Sequence, residues 1–248
     1  MKQERAFTLV ELLVALALTA VLVVLLANVV SATLSAWQQG RNRLDTFSAA
    51  RQLMGRITDQ ISAAVAVKDR IEFVENASEL NGGSAQAAPK TSENVFFVAP
   101  YPNSGSGDLC VVMYRHDAVN RRLEFRLEDS SRAWAAAASG RYKASGYPDD
   151  PKTSRWRAIA DGVLEFELRS YSQSDLDKGD TPADTWSSRA MNTATEGKTP
   201  RRIVVRLKVV DDRTLVRLAA MTPGTPAYDD ALKRAAREFF SDFRLPAR

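Results

Sequence analysis

The chain is 248 residues long, 45% hydrophobic and 26% charged, with 12 Gly and 10 Pro, which excludes a disordered or collagen-like protein and allows a folded core. One cysteine, Cys110, and one histidine, His116, exclude an intrachain disulfide, a multi-cysteine zinc site and a multi-histidine metal site. The 34 Lys and Arg exceed the 30 Asp and Glu by only four and form no dense basic run, so no nucleic acid is expected as a partner.

The first predicted element is a helix that begins in FTLVELLVALALTAVLVVLLANVV, residues 7–30. These 24 residues hold neither Pro nor Gly and one charge, Glu11. At about 1.5 Å each they reach roughly 36 Å, enough to cross a hydrocarbon core of about 30 Å with some tilt. Lys2 and Arg5 precede the run with Glu4 between them, a weakly positive leader. The positive-inside rule keeps such a leader in the cytoplasm and places the bulk of the chain across the membrane. A carboxylate inside an apolar helix costs a few kcal/mol unless it finds a partner, so Glu11 separates three readings. A secretory signal peptide has an apolar region of only about 7–15 residues, although Val30-Ser31-Ala32 mimics its cleavage site. A simple one-pass anchor explains the length and gives the carboxylate no reason.

The third reading explains both. Arg5-Ala6-Phe7-Thr8-Leu9-Val10-Glu11-Leu12 resembles the prepilin-type leader and cleavage site of type IV pilins and type II secretion pseudopilins. The resemblance implies that prepilin peptidase removes a leader of residues 1–6 by cutting between Ala6 and Phe7, and methylates the new terminus at Phe7. Ala6 departs from the family's usual Gly at that position. The resemblance further implies that Glu11 neutralises the N-terminal ammonium of a neighbouring subunit, a pairing that makes an intramembrane carboxylate tolerable. Leu9, Leu12 and Ala15 then belong to the assembly surface, where small residues such as Ala15, Ala17 and Ala20 permit close helix approach.

Beyond Val30, the residues Leu34, Trp37, Leu44, Phe47, Met54, Ile57, Ile61 and Val65 form an apolar stripe, with Arg41, Arg43, Asp45, Arg51, Arg56 and Asp59 off it. No Pro interrupts the pattern before Pro89, which predicts one helix from about Phe7 to Ala66 with an amphipathic second half over 31–66. The stripe packs on the chain's own globular domain or on a coiled-coil partner. Gly40 is its most flexible point.

From residue 67 to 248 the period falls toward 2, which predicts a β-rich domain without repeats or a second core. Predicted strands are Arg70–Glu75, Asn94–Ala99, Leu109–Arg115, Arg121–Glu128, Val163–Tyr171, Ile203–Val210 and Thr214–Ala219. Polar loops lie at Asn76–Glu93, Pro100–Asp108 and Ser172–Pro200. A final helix is expected over Tyr228–Phe243, with Leu232, Ala235, Phe239 and Phe243 on one face. It either docks on the sheet or binds a partner.

Candidate chemistry is sparse. His116 beside Asp117 has no serine or cysteine in a nucleophile motif, and Cys110 in an apolar run reads as a small buried hydrophobe. The glycines at 82–83 and 105–107 open no helix after a strand, so they read as turns rather than phosphate cradles. Asp175, Asp177 and Asp180 cluster in SDLDKGDTPAD and are the candidates for calcium, with solvated loop carboxylates as the alternative. Counted from Asp175, the twelfth position of an EF-hand loop would fall on Trp186 and not on a Glu. No other metal or cofactor is expected.

A second resemblance concerns the outer domain. Ile159-Ala160-Asp161-Gly162-Val163-Leu164-Glu165-Phe166, followed by Tyr171, Trp186, Pro200 and Ile203–Val210, is similar to the J-type minor pseudopilins. The stretch Trp37…Phe47-Ser48-Ala49-Ala50-Arg51 is similar to the prepilin-type protein C of the Verru_Chthon cassette. Together these imply an α+β, pilin-like fold, and a non-enzymatic minor subunit held in the bacterial inner membrane and assembled with other pilin-like subunits into a filament or its tip. The alternative is a bitopic envelope protein whose outer domain binds a ligand or peptide. An enzyme, the third class, would have to work through His116 or the aspartates at 175–180.

Overall fold

In the computed structural model the described residues are 9–68, 70–77, 94–100, 109–128, 156–179, 186–188 and 198–245. The absence of Pro and the run of Leu, Ala and Val let helix α1 extend unbroken over Leu9–Ser62, 54 residues. It passes through Gly40 and Gly55, where nothing beyond the helix's own backbone comes within 4 Å of an added Cβ. The helix ends four residues short of the expected Ala66. There Ala64 N–H donates to the Ile61 carbonyl, and Val65 N–H leaves the helical ladder for the Val98 carbonyl at 2.9 Å.

The chain divides into two units, Met1–Asp45 and Thr46–Arg248, with α1 contributing to each. In the first unit Leu34, Trp37 and Leu44 are exposed. In the second unit Ala50, Leu53, Met54, Ile57 and Ile61 are buried and Phe47 is half-buried against them.

Among the described residues the second unit holds two antiparallel sheets. The first contains β1 (Val74–Glu75), β2 (Asn94–Ala99), β3 (Cys110–Asp117), β4 (Arg122–Glu128) and β5 (Arg157–Asp161), paired in chain order. The second contains β6 (Val163–Tyr171), β7 (Arg202–Val209) and β8 (Arg237–Arg244), also in chain order. Two short helices follow strands, α2 (Gln173–Lys178) after β6 and α3 (Asp212–Ala219) after β7, and α4 (Pro226–Ala235) lies between α3 and β8. The long helix and antiparallel strands give the expected α+β class.

Alternation explains which faces meet. In β7, Ile203, Val205, Leu207 and Val209 are buried while Arg202, Val204, Arg206 and Lys208 take the other face. They share one core with the packed face of α1 and with Val95, Phe97, Val112, Tyr114 and Leu123 of the first sheet. A second cluster, Val74, Phe96, Val98, Val111 and Met113, lies on the opposite face of β1 to β3. Burial on both faces is why NVFFVA is apolar without alternation. Between β5 and β6 the chain turns at Gly162, where φ is +71° and an added Cβ would overlap the Val210 carbonyl oxygen.

Three expected elements are corrected and one strand is added. Thr214–Ala219 is helix α3 and not a strand, because Asp211 caps it: one carboxylate oxygen accepts Thr214 N–H at 2.9 Å. The helix expected over Tyr228–Phe243 is α4 only to Ala235, and Phe239 and Phe243 belong to β8, which pairs with β7 along its length. The strand expected over Arg70–Glu75 is a ladder only at Val74–Glu75, with an isolated bridge between Val67 and Ile71. Strand β5, which lacks a strong apolar alternation, was not expected at all.

Candidate functional site

Every residue from Leu9 to Asp45 is exposed, including each leucine and valine of the apolar run. Within α1 lies a stretch long and apolar enough to cross a membrane. Helical geometry satisfies the backbone internally, and the Thr19 and Thr33 hydroxyls donate to the Ala15 and Val29 carbonyls, each at 2.8 Å. Those two polar side chains are therefore compatible with lipid.

Glu11 lies in the first described turn of α1, and Ala15 and Thr19 follow it at intervals of four, along one line of the helix. Leu9 and Leu12 flank it, 76% and 57% exposed. The carboxylate is thus presented among apolar side chains on an uncovered helix. Ala6 and Phe7 lie outside the described residues. Farther along, the Arg41 guanidinium sits 5.7 Å from the centre of the Trp37 ring, one turn away. In the sequence Trp37 belongs to the apolar stripe and opens the 37–51 stretch of the second resemblance. Its four-residue spacing to Arg41 was the signal for this pair.

Two of the three calcium candidates lie on a helix and not in a loop. Asp175 and Asp177 belong to α2, where Ser172 and Asp175 make a reciprocal capping box: Asp175 N–H donates to Ser172 Oγ at 3.1 Å and Ser172 N–H to the Asp175 carboxylate at 2.7 Å. The Asp177 carboxylate accepts from Gln173 Nε2 at 2.9 Å, and Asp180 lies outside the described residues. Among the described residues no group of three or more His, Cys, Asp or Glu is placed to hold a metal ion.

His116 and Asp117, adjacent in sequence, engage different partners. His116 Nε2 is 3.0 Å from the Val163 carbonyl at the start of β6. Asp117 accepts from the backbone and side chain of Asn120 in the β3–β4 turn, at 3.0 and 2.6 Å. Partial burial pushes the Asp117 carboxyl up, yet the Asn120 hydrogen bonds and the Arg122 charge together hold it below the ordinary carboxylate range. Cys110 is fully buried, as expected.

The outward face of the second sheet carries a ladder of cross-strand charges. Lys208 pairs with Glu165 at 2.8 Å, Arg206 with Glu238 at 2.7 Å and with Glu167 at 3.4 Å, and Arg169 with Glu167. Arg202 makes two hydrogen bonds to Asp242, at 2.8 and 2.5 Å, and lies over the Tyr171 ring at 5.1 Å. Phe240 stands among these charges, 74% exposed.

Residues 1–27 match the family model described as the prokaryotic N-terminal methylation motif. A comparison with curated proteins finds no match. The match places the amino terminus with the prepilin-type superfamily, and its motif is that of a prepilin peptidase substrate. The long amino-terminal helix and the antiparallel β-domain after it are consistent with an α+β, pilin-like fold.

Proposed function

From a prepilin-type amino terminus, we propose that this chain is a non-enzymatic minor pilin or pseudopilin, cut between Ala6 and Phe7, methylated at Phe7, and assembled through α1 at or near a filament tip. The observation that carries the reading is Glu11, the single charge of the apolar run, inside a motif matched over residues 1–27. Before assembly the helix resides in the inner membrane as one span, with the β-domain outside the cytoplasm. Assembly then exchanges lipid for neighbouring helices around Leu9, Leu12 and Ala15, and Glu11 gains the N-terminal ammonium of the adjacent subunit. The folded domain of 67–248 supplies partner choice. Its bulk suits an initiating or capping position better than a repeated one, and J-type likeness over 159–210 points the same way.

The deciding experiment is the intact mass and amino-terminal sequence of the protein recovered from membranes of its native host. N-methylated Phe7 is expected. A start near Thr33 would make it a secreted domain, and an uncut Met1 would make α1 a simple tether for a ligand-binding domain. For the assembly step, Glu11→Leu is expected to abolish co-purification with other pilin-like subunits while the protein stays in the membrane. Unchanged co-purification would remove the role assigned to Glu11.

A further inference from the structure

One end of the second sheet carries an excess of guanidinium groups. Arg202 and Arg244 stand directly opposite each other in the β7–β8 ladder, a like-charge pair that is unfavourable unless an anion lies close by. Asp242 meets Arg202 with both carboxylate oxygens, and Arg201 adds a third guanidinium next in the chain. Among the described residues, the side chains of Arg201 and Arg244 form no hydrogen bond or salt bridge. Both line a groove of about 320 Å³ between α2 and the ends of β7 and β8, with Gln173, Leu176, Asp177 and Leu245.

Backbone hydrogen bonds fix the walls. Arg201 N–H donates to the Tyr171 carbonyl at 2.8 Å, and Leu245 N–H donates to the Arg201 carbonyl at 2.9 Å. The Ser172–Asp175 capping box holds the first turn of α2. Asp177, the one carboxylate among the described lining residues, accepts from Gln173 Nε2 at 2.9 Å. An adjoining groove of about 310 Å³ shares Gln173 and Arg201 and adds Lys198 and the hydroxyls of Ser172, Ser174 and Thr199. Each volume is at the low end for ligand sites, and two grooves that share residues suit an extended chain better than a compact molecule. Guanidinium groups without carboxylates of their own are matched by carboxylates from outside, through charge-assisted hydrogen bonds.

We propose that this groove binds an acidic peptide segment of a partner protein, with carboxylates on Arg201 and Arg244 and apolar side chains on Leu176 and Leu245. The groove lies wholly within the second unit, so its occupancy does not require assembly through α1.

The test uses the full chain in dodecyl maltoside micelles and a fluorescein-labelled pentapeptide of alternating leucine and glutamate, compared by anisotropy with its glutamine counterpart. The glutamate peptide is expected to bind and the glutamine peptide to bind at least tenfold more weakly. Arg201→Gln and Arg244→Gln are each expected to weaken binding about tenfold, the effect of losing one charge-assisted hydrogen bond. Asp177→Asn is expected to tighten binding about threefold by removing a repelling charge, a gain that a misfolded protein cannot show. No binding by the parent, equal affinity for the two peptides, or affinity unmoved by the arginine substitutions overturns the proposal. Loss at both arginines without a gain in Asp177→Asn also overturns it, because the loss is then structural. Displacement by inorganic phosphate at the peptide's own concentration would make this a phosphate site and not a peptide groove.

Discussion

The buried carboxylate of Glu75 accepts the backbone N–H of Trp186 at 3.0 Å, across 111 residues of chain. Glu75 N–H returns the bond to the Trp186 carbonyl at 2.9 Å, and Ser188 exchanges bonds with the backbone of Phe73. Residues 186–188 therefore run antiparallel beside β1, joined to it by an isolated bridge between Val74 and Ser187. The other carboxylate oxygen accepts the hydroxyl of Ser170 in β6, so one side chain joins the two sheets to the middle of the 172–200 segment. A carboxylate 3% exposed is tolerated because donors meet both oxygens.

Glu75→Ala would strand the Trp186 N–H and the Ser170 hydroxyl, and is expected to lower stability by about 3 kcal/mol. Ser170→Ala removes one donor from a group that keeps another, and is expected to cost about 1 kcal/mol. Urea unfolding of the full chain in detergent, followed by tryptophan fluorescence, compares them. Equal losses would mean that the carboxylate does not join these segments.

Along α1 the packed face can be mapped by truncation. Ile57 is fully buried, and Ile57→Ala is expected to cost about 3–4 kcal/mol in the same unfolding experiment. Leu44 is 70% exposed, and Leu44→Ala is expected to change stability by less than about 0.5 kcal/mol. A large loss at Leu44 would show that the helix is packed there too.

Acid should release the Arg202–Asp242 pair. Hydrogen bonds from Arg202 hold the Asp242 carboxyl below the ordinary range, against a smaller upward push from burial, and the Arg202 and Arg244 charges add to the lowering. A carboxyl depressed in the folded state stabilises it above its unfolded value of about 3.9, and that contribution disappears as pH falls through the lower folded value. Asp242→Asn is therefore expected to shrink the stability difference between about pH 6 and about pH 3. Both side chains are more than a third exposed, so the difference should be small and should fade in high salt. An unchanged acid limb would remove the pair from the balance.

Several elements were legible for local reasons. The charge-free apolar run with Glu11 announces both a membrane-length helix and its motif, because length and a single misplaced charge need no tertiary context. Strands β2 and β6 match their expected limits, since bounded runs of β-branched and aromatic residues carry the strand signal themselves. Phe239 and Phe243 misled because a spacing of four fits a helical turn and two strand steps alike. The open edge of β7 decides between them, and the chain leaves helical geometry at Ala236, whose ψ is 142°. At Thr214–Ala219 a Thr-Leu-Val run outweighed the Asp211 cap that sets the outcome, with Leu218 then buried.

The sequence by itself determined the class of this protein: a prepilin-type amino terminus, an apolar helix with one carboxylate, and an antiparallel domain behind it. Those properties rest on composition and spacing within a few turns or strands. The tertiary structure alone decided that the packed face of α1 extends from Phe47 to Ile61, that the carboxyl-terminal segment closes the second sheet, and that Glu75 reaches Trp186. Each of these depends on which surfaces meet after collapse. Burial and hydrogen-bond completion across long chain separations select that arrangement, and no local pattern encodes it.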